Sequence, residues 1–250
     1  MNVYTNLKSD CYKILHTPIW LIHVIIPLIG ISLFIGYYSI SPWDETAKLS
    51  AYLQALAVVF PVLIGIITAL FSELEQGAGG FQTILSYATA KSLPHISKLL
   101  ILILLGLFSA LLALVGFGTV FIKMGYIRQN LLFYGETAVL LWLSVMPLYL
   151  LHYLVSFRFG KGFSIGLGIV GTLLGALLLT GLGDVIWPYL PWGISSRFAE
   201  MLLTAKLSNG AFLQARDVIN GGSFIFIYTF LFTTILVLSF NKWEGRKSDD

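Results

Sequence analysis

The sequence predicts an all-α, polytopic membrane protein. It has six transmembrane helices, an N-terminal helix lying at the interface, and a short cytoplasmic helix between spans two and three. Three observations carry this. Of the 250 residues, 57% are apolar and only 11% are charged, against about 25% charged in a soluble domain. A large soluble core would still need a charged skin, so lipid must replace water as the outer solvent. Six stretches, each near the 20 or so residues that cross a bilayer core of about 30 Å, contain no Asp, Glu, Lys or Arg. These runs are also too long, and alternate too little, for the strands of a membrane β-barrel.

The six spans are 18–40, 51–71, 99–122, 137–157, 163–183 and 221–240, within one transmembrane domain covering residues 1–250. A charge at a span centre costs about 2.5–3.5 kcal/mol, which gives charge-free windows their weight. The first span is too long for a signal peptide and lacks a small-x-small cleavage site after it. Tyr37 and Tyr38 stand where an interfacial aromatic belt would lie. Pro27, Pro61 and Pro147 fall inside spans one, two and four and predict kinks.

An even number of spans puts both termini on one side. With the termini in the cytoplasm, the inner segments hold nine Lys and Arg and the outer segments six. That bias favours cytoplasmic termini in a cell membrane. The net charge of +3 comes with no basic run that would suit a nucleic acid. Cys11 is the single cysteine, so no intrachain disulfide can form.

Between the spans, three segments are informative. Ahead of span one, Val3, Leu7, Cys11 and Ile14 recur at helical spacing, with Asn6, Lys8, Asp10 and Lys13 off that stripe. This predicts an amphipathic helix on the inner leaflet. In the cytoplasmic segment 72–98, Glu73 and Glu75 precede Gly77, Gly79 and Gly80. Phe81, Ile84, Leu85 and Ala88 then fall on one helical face, with Pro94 beyond them. Such a helix can lie on lipid or dock into a groove on a soluble partner. The outer segment 184–220 holds Trp187, Pro188, Tyr189, Pro191 and Trp192, suggesting a dip toward the interface, and then a short helix over 196–207.

Span five is rich in glycine. Gly166, Gly171 and Gly175 are candidates for a helix-packing interface, because glycine lets two backbones approach. His23, Gln54 and His152 are polar residues inside spans and candidates for a transport path. Each could equally bond a neighbouring carbonyl. Catalytic motifs are missing: there is no phosphate loop, no H-E-x-x-H, no C-x-x-C and no G-x-S-x-G. The histidines have no metal-ligand spacing. The sequence therefore predicts neither an enzyme nor a metal or cofactor site in this chain.

The whole pattern resembles the ABC-2 type exporter permeases. The sharpest local feature is Glu73-Leu74-Glu75-Gln76-Gly77 followed by Phe81 to Tyr87. It is similar to the Glu-x-Glu-x-x-Gly approach to the coupling helix in that family. Here the glycine stands two residues after Glu75, and Gly79 and Gly80 widen the turn. Chain length, the Ser97-Lys98 lead into span three and the small loops resemble most the permease subunits of lantibiotic (bacteriocin) immunity transporters. The resemblance implies a second permease, like or unlike, and two copies of a cytoplasmic ABC ATPase that binds ATP and Mg. It implies that Glu73, Glu75, Gly77, Phe81, Ile84, Leu85 and Tyr87 form the ATPase-coupling interface. It further implies an antimicrobial peptide cargo expelled from the membrane of a Gram-positive producer, giving self-immunity and a form of antibiotic resistance. Two other readings stand beside it. One is an ABC-2 permease for another drug, a lipid or a polysaccharide; the other is a membrane scaffold without transport, whose short helix lies on lipid alone.

Overall fold

The computed structural model describes residues 3–86, 91–207 and 216–246, and every regular element among them is helical. Helix α1 (Val3–Leu15) precedes α2 (Ile19–Tyr38). Helix α3 (Glu45–Gly77) leads through the one-turn α4 (Gln82–Leu85) to α5 (Ser92–Lys123). Next come α6 (Leu131–Ser144), α7 (Met146–Phe159), α8 (Lys161–Leu178), α9 (Pro191–Leu207) and α10 (Arg216–Asn241). Five helices, α2, α3, α5, α8 and α10, are long and apolar enough to cross a membrane. The bent pair α6 and α7 makes a sixth if it counts as one span. The chain is thus a polytopic helical membrane protein.

The ends of these helices follow from local chemistry. Asp44 caps α3 by accepting the Ala47 N–H at 2.7 Å, and Asn130 caps α6 by accepting that of Phe133 at 3.0 Å. The bend between α6 and α7 is 42° and sits just before Pro147, which has no N–H to continue the ladder. Helices α2 and α3 run on through Pro27 and Pro61. Pro61 leaves the Ala57 carbonyl without its helical donor, and Ser195 Oγ lies 3.5 Å from that oxygen. Span five is also shorter than its apolar window, because α8 stops at Leu178. The chain folds back so tightly that a Cβ on Gly183 would lie 2.1 Å from the Leu178 carbonyl oxygen.

Helices α3 and α5 have 33 and 32 residues. At 1.5 Å per residue each is about 50 Å long, well beyond a hydrocarbon core of about 30 Å. Their surplus carries Glu73, Glu75 and Lys98 at one end of the bundle. That end also holds α1, α4 and residues 242–246, so both described ends of the chain meet there. It is called basal here, and the opposite end distal.

Helix α3 is central and packs most extensively on α8. The crossing is close because Gly65 and Gly168 lack side chains. A Cβ on Gly65 would stand 2.7 Å from the Ser164 carbonyl oxygen, and one on Gly168 2.9 Å from the Val62 Cα. The glycines expected to form an interface separate into two groups. Gly171 and Gly175 receive Trp192 of α9, whereas Gly166 is exposed with nothing within 4 Å of a Cβ. Gly168 and Ser164, rather than Gly166, make the contact with α3. Helix α9 begins beside Gly171, two turns inside the end of α8, and then runs outward along α3 to place Leu203 among the distal core residues. The aromatic segment 187–192 therefore re-enters the bundle, and the helix starts at Pro191 rather than 196. Helices α2 and α10 are the least buried of the crossing helices and present Leu28, Ile29, Leu33, Phe226 and Phe230 outward.

Candidate functional site

The basal end gathers most of the buried charge. Asp10 and Lys13 lie three residues apart on α1, hence on one face. Glu75 stands in the last turn of α3, and Ser97 and Lys98 near the start of α5. Lys98 pairs with Asp10 and, at 3.0 Å, with Glu75. Lys13 reaches the same Glu75 oxygen at 3.1 Å, and Ser97 donates to the other oxygen of Asp10 at 3.1 Å. The side chains of Asp10, Glu75 and Lys98 are 5% exposed or less. Two buried carboxylates thus face the buried Lys98 ammonium and the partly exposed one of Lys13. Removing Lys98 leaves Asp10 buried without an ammonium partner, and breaking a buried pair in this way costs about 3–5 kcal/mol. The quartet therefore fixes α1 to α3 and α5.

Glu73 makes a second, more open group. It accepts from Arg246 at 2.9 Å and from Lys161 at 3.5 Å, joining α3 to the C-terminal segment and to the start of α8. Arg246 also donates to the Ser156 carbonyl at 3.1 Å. The two glutamates expected at a partner interface are thus both bonded within the chain.

The segment between them and α5 is strained. Gly79, Gly80 and Phe81 take positive φ in succession, at 106°, 61° and 66°. Glycine does this freely; phenylalanine does not. Strain of this kind persists where packing over-determines it. The Phe81 ring is 2% exposed and packs against Trp243 at 5.0 Å and Phe157 at 5.8 Å. His95 completes this aromatic group, stacked on Phe240 at 3.6 Å and bonded through Nδ1 to the Tyr153 hydroxyl at 3.0 Å.

The short helix differs from its sequence expectation. It covers only Gln82–Leu85, and Phe81 precedes it. Its apolar face, Phe81 and Ile84, is turned into the chain's own core, with Leu85 packed alongside. What remains outside is Gly77 to Gly80, Gln82 and Ser86. Tyr87 and Ala88 lie outside the described residues. Helix α1 sets its expected polar side against the bundle. Asn6, Asp10 and Ile14 are buried and Cys11 is exposed, so the polar residues face inward. Sequence reasoning missed Asp10, Lys13, Ser97, Lys98 and Arg246 as site residues. The available signal was opposite charge at the ends of adjacent spans, Glu75 against Lys98, beside an acid and a base on one face of α1.

The three polar residues expected along a path are not brought together among the described residues. His23 is buried and bonds its own helix at the Ile19 carbonyl, 3.0 Å away. Gln54 is half-buried and donates to Ser50 one turn back at 3.2 Å. His152 alone joins an interhelical group. Its Nδ1 is 3.2 Å from Ser164 Oγ, which also lies 3.1 Å from Thr68 Oγ1 and from the Gly65 carbonyl oxygen. This group closes the α3, α7 and α8 contact and is fully buried. No cluster of His, Cys, Asp and Glu suited to a metal ion occurs among the described residues. No family model matches the chain, and neither does any curated protein or solved structure.

Proposed function

We propose that this chain is the permease subunit of an ABC exporter of the ABC-2 type, with no catalysis of its own. The finer reading is a transporter that expels a lantibiotic-type antimicrobial peptide from the cell membrane of a Gram-positive producer. Its partners would be a second permease and two cytoplasmic ATPase subunits, which hold the ATP and Mg.

One observation supports it most. The basal segment 73–86, between the second and third crossings, is tied to both described ends of the chain. Glu73 holds Arg246, Phe81 packs on Trp243, and Glu75 reaches α1 and α5 through Lys98 and Asp10. A force applied at Gln82 and Ser86 would pass into α1, α3, α5 and the C-terminal segment together, because the Glu75 and Phe81 links cannot slide without exposing a buried charge or ring. A nucleotide-driven partner needs such a contact point. In this reading the partner meets the exposed glycines, Gln82 and Ser86, while Phe81 and Ile84 stiffen the contact from behind.

Affinity capture of the intact chain from its own membranes tests the reading. An ATP-binding subunit is expected to come with it. The double variant Gln82→Trp, Ser86→Trp is expected to lose that subunit while the permease keeps its melting temperature. Capture of no ATP-binding protein, together with unchanged peptide sensitivity on deletion of the chain, would overturn the proposal.

A further inference from the structure

Helix α2 leans on α5 and hardly on α3. Its middle is seated by Ile31, whose Cδ1 would lie 2.9 Å from a Cβ on Gly116. Toward the distal end α2 meets α3 through Phe34 and Tyr52, with ring centres 5.1 Å apart. Beneath this contact the two helices separate. The gap is a cavity of about 140 Å³, walled by Pro27 and Gly30 of α2, Ala55 and Phe60 of α3, and Ser109 and Ala113 of α5. Gly30 and the alanines create the room; nothing lies within 4 Å of a Cβ placed on Gly30. Ile26 and Val59 also line it and are 36% and 39% exposed, so its mouth opens on the outward-facing surface of the bundle.

We propose that this groove binds one alkyl chain of a bilayer lipid. Its mouth lies between two helices that qualify as membrane spans, where hydrocarbon is the surrounding phase. An apolar cavity of this size stays dry and takes up hydrocarbon rather than water. The wall cannot serve a peptide. The Tyr52 hydroxyl is spent on the Ala113 carbonyl at 2.8 Å, which leaves Ser109 as the other polar side chain lining the groove. A peptide backbone there would keep unsatisfied N–H and C=O groups in an apolar setting. A helix from a second copy, about 10–12 Å across, is too wide for it. An alkyl chain needs no hydrogen bonds and matches a slot between two helices. The chain would act as a removable wedge between α2 and α3. The inference is independent of the exporter reading.

The test uses the full chain in lipid nanodiscs containing a phospholipid with a photoreactive diazirine on its acyl chain. Adducts are mapped by peptide mass spectrometry. Ile26 and Val59 are expected to label more than Leu173 of α8 and Phe230 of α10, although those controls are more exposed, at 66% and 68%. The variant Ala55→Leu fills the groove and is expected to bring labelling at Val59 down to the control level, with the controls unchanged. Gly30→Leu fills it from the opposite wall and serves if the first variant does not fold. Groove labelling equal to the controls in the unaltered chain overturns the proposal, and so does labelling that persists in a folded filled variant. Stronger labelling of the groove from a headgroup-placed diazirine would also overturn it.

Discussion

The two ends of the bundle both bury a lysine, and they satisfy it in opposite ways. At the basal end Lys98 meets two carboxylates, Asp10 of α1 and Glu75 of α3. At the distal end Lys48 is also buried, yet among the described residues no carboxylate pairs with it. Its ammonium donates to the Tyr38 carbonyl at 3.0 Å and to the Tyr126 hydroxyl at 2.6 Å, and lies 4.7 Å from the centre of the Tyr126 ring. Tyr38 returns a bond to the Lys48 carbonyl at 2.7 Å. Arg197 continues the distal style, donating to the Leu178 and Thr180 carbonyls at 2.6 and 2.7 Å as well as to Asp184. Carbonyl dipoles at helix ends attract cations moderately and permanently. Carboxylates attract them strongly, but only while both charges are present and close. The distal end is therefore built as a fixed closure. The basal end is built as a lock that holds firmly and fails as a unit.

Three comparisons break or sharpen this contrast, in descending order of effect. Lys98→Met leaves Asp10 with no ammonium and Glu75 with Lys13 alone, and is expected to cost about 3–5 kcal/mol, read as a fall in melting temperature and as faster proteolysis within α1. The reciprocal pair Asp10→Lys, Lys98→Asp is expected to recover part of the loss, since it keeps opposite charges in place. No recovery would mean that shape rather than charge holds α1. Lys48→Met is expected to cost less, about 1–3 kcal/mol, because only a carbonyl and a phenol lose their donor. A loss as large as that of Lys98→Met would erase the distinction between the ends. The third comparison concerns α8, which runs between them. Gly168→Ala forces a methyl against the α3 backbone and is expected to cost about 1–3 kcal/mol. Gly166→Ala meets open space and is expected to leave the melting temperature nearly unchanged. Equal effects at the two positions would place the α3 crossing elsewhere.

How far the sequence could be read depended on which property was asked of it. The apolar, helical character of the chain and the bend beside Pro147 were legible, because each rests on composition or on one residue type. The facing of helices was not. In α1 the stripe of Val3, Leu7, Cys11 and Ile14 marked a lipid-facing side, and the structure leaves Cys11 exposed but buries Ile14 together with Asp10. In the basal segment the stripe of Phe81 and Ile84 could equally cover lipid, a partner or the chain's own core, and it covers the core. In α8 the choice between Gly166 and Gly168 required knowing where α3 crosses. Within a membrane, buried and lipid-facing residues are both apolar, so periodicity loses the contrast that orients helices in water. Glu73 and Glu75 were visible as charges near a span, but their partners Arg246, Lys98 and Asp10 are far away in the chain.

The sequence by itself determined that this chain is helical and belongs in a bilayer. Transfer of apolar side chains and the cost of charge act residue by residue, so they can be summed along a chain without knowing its neighbours. Only the tertiary structure decided which charges pair, which glycines admit a backbone, and where α2 stands away from α3. Those depend on distances between residues remote in sequence, and pairing, close packing and cavities exist only once the helices have met.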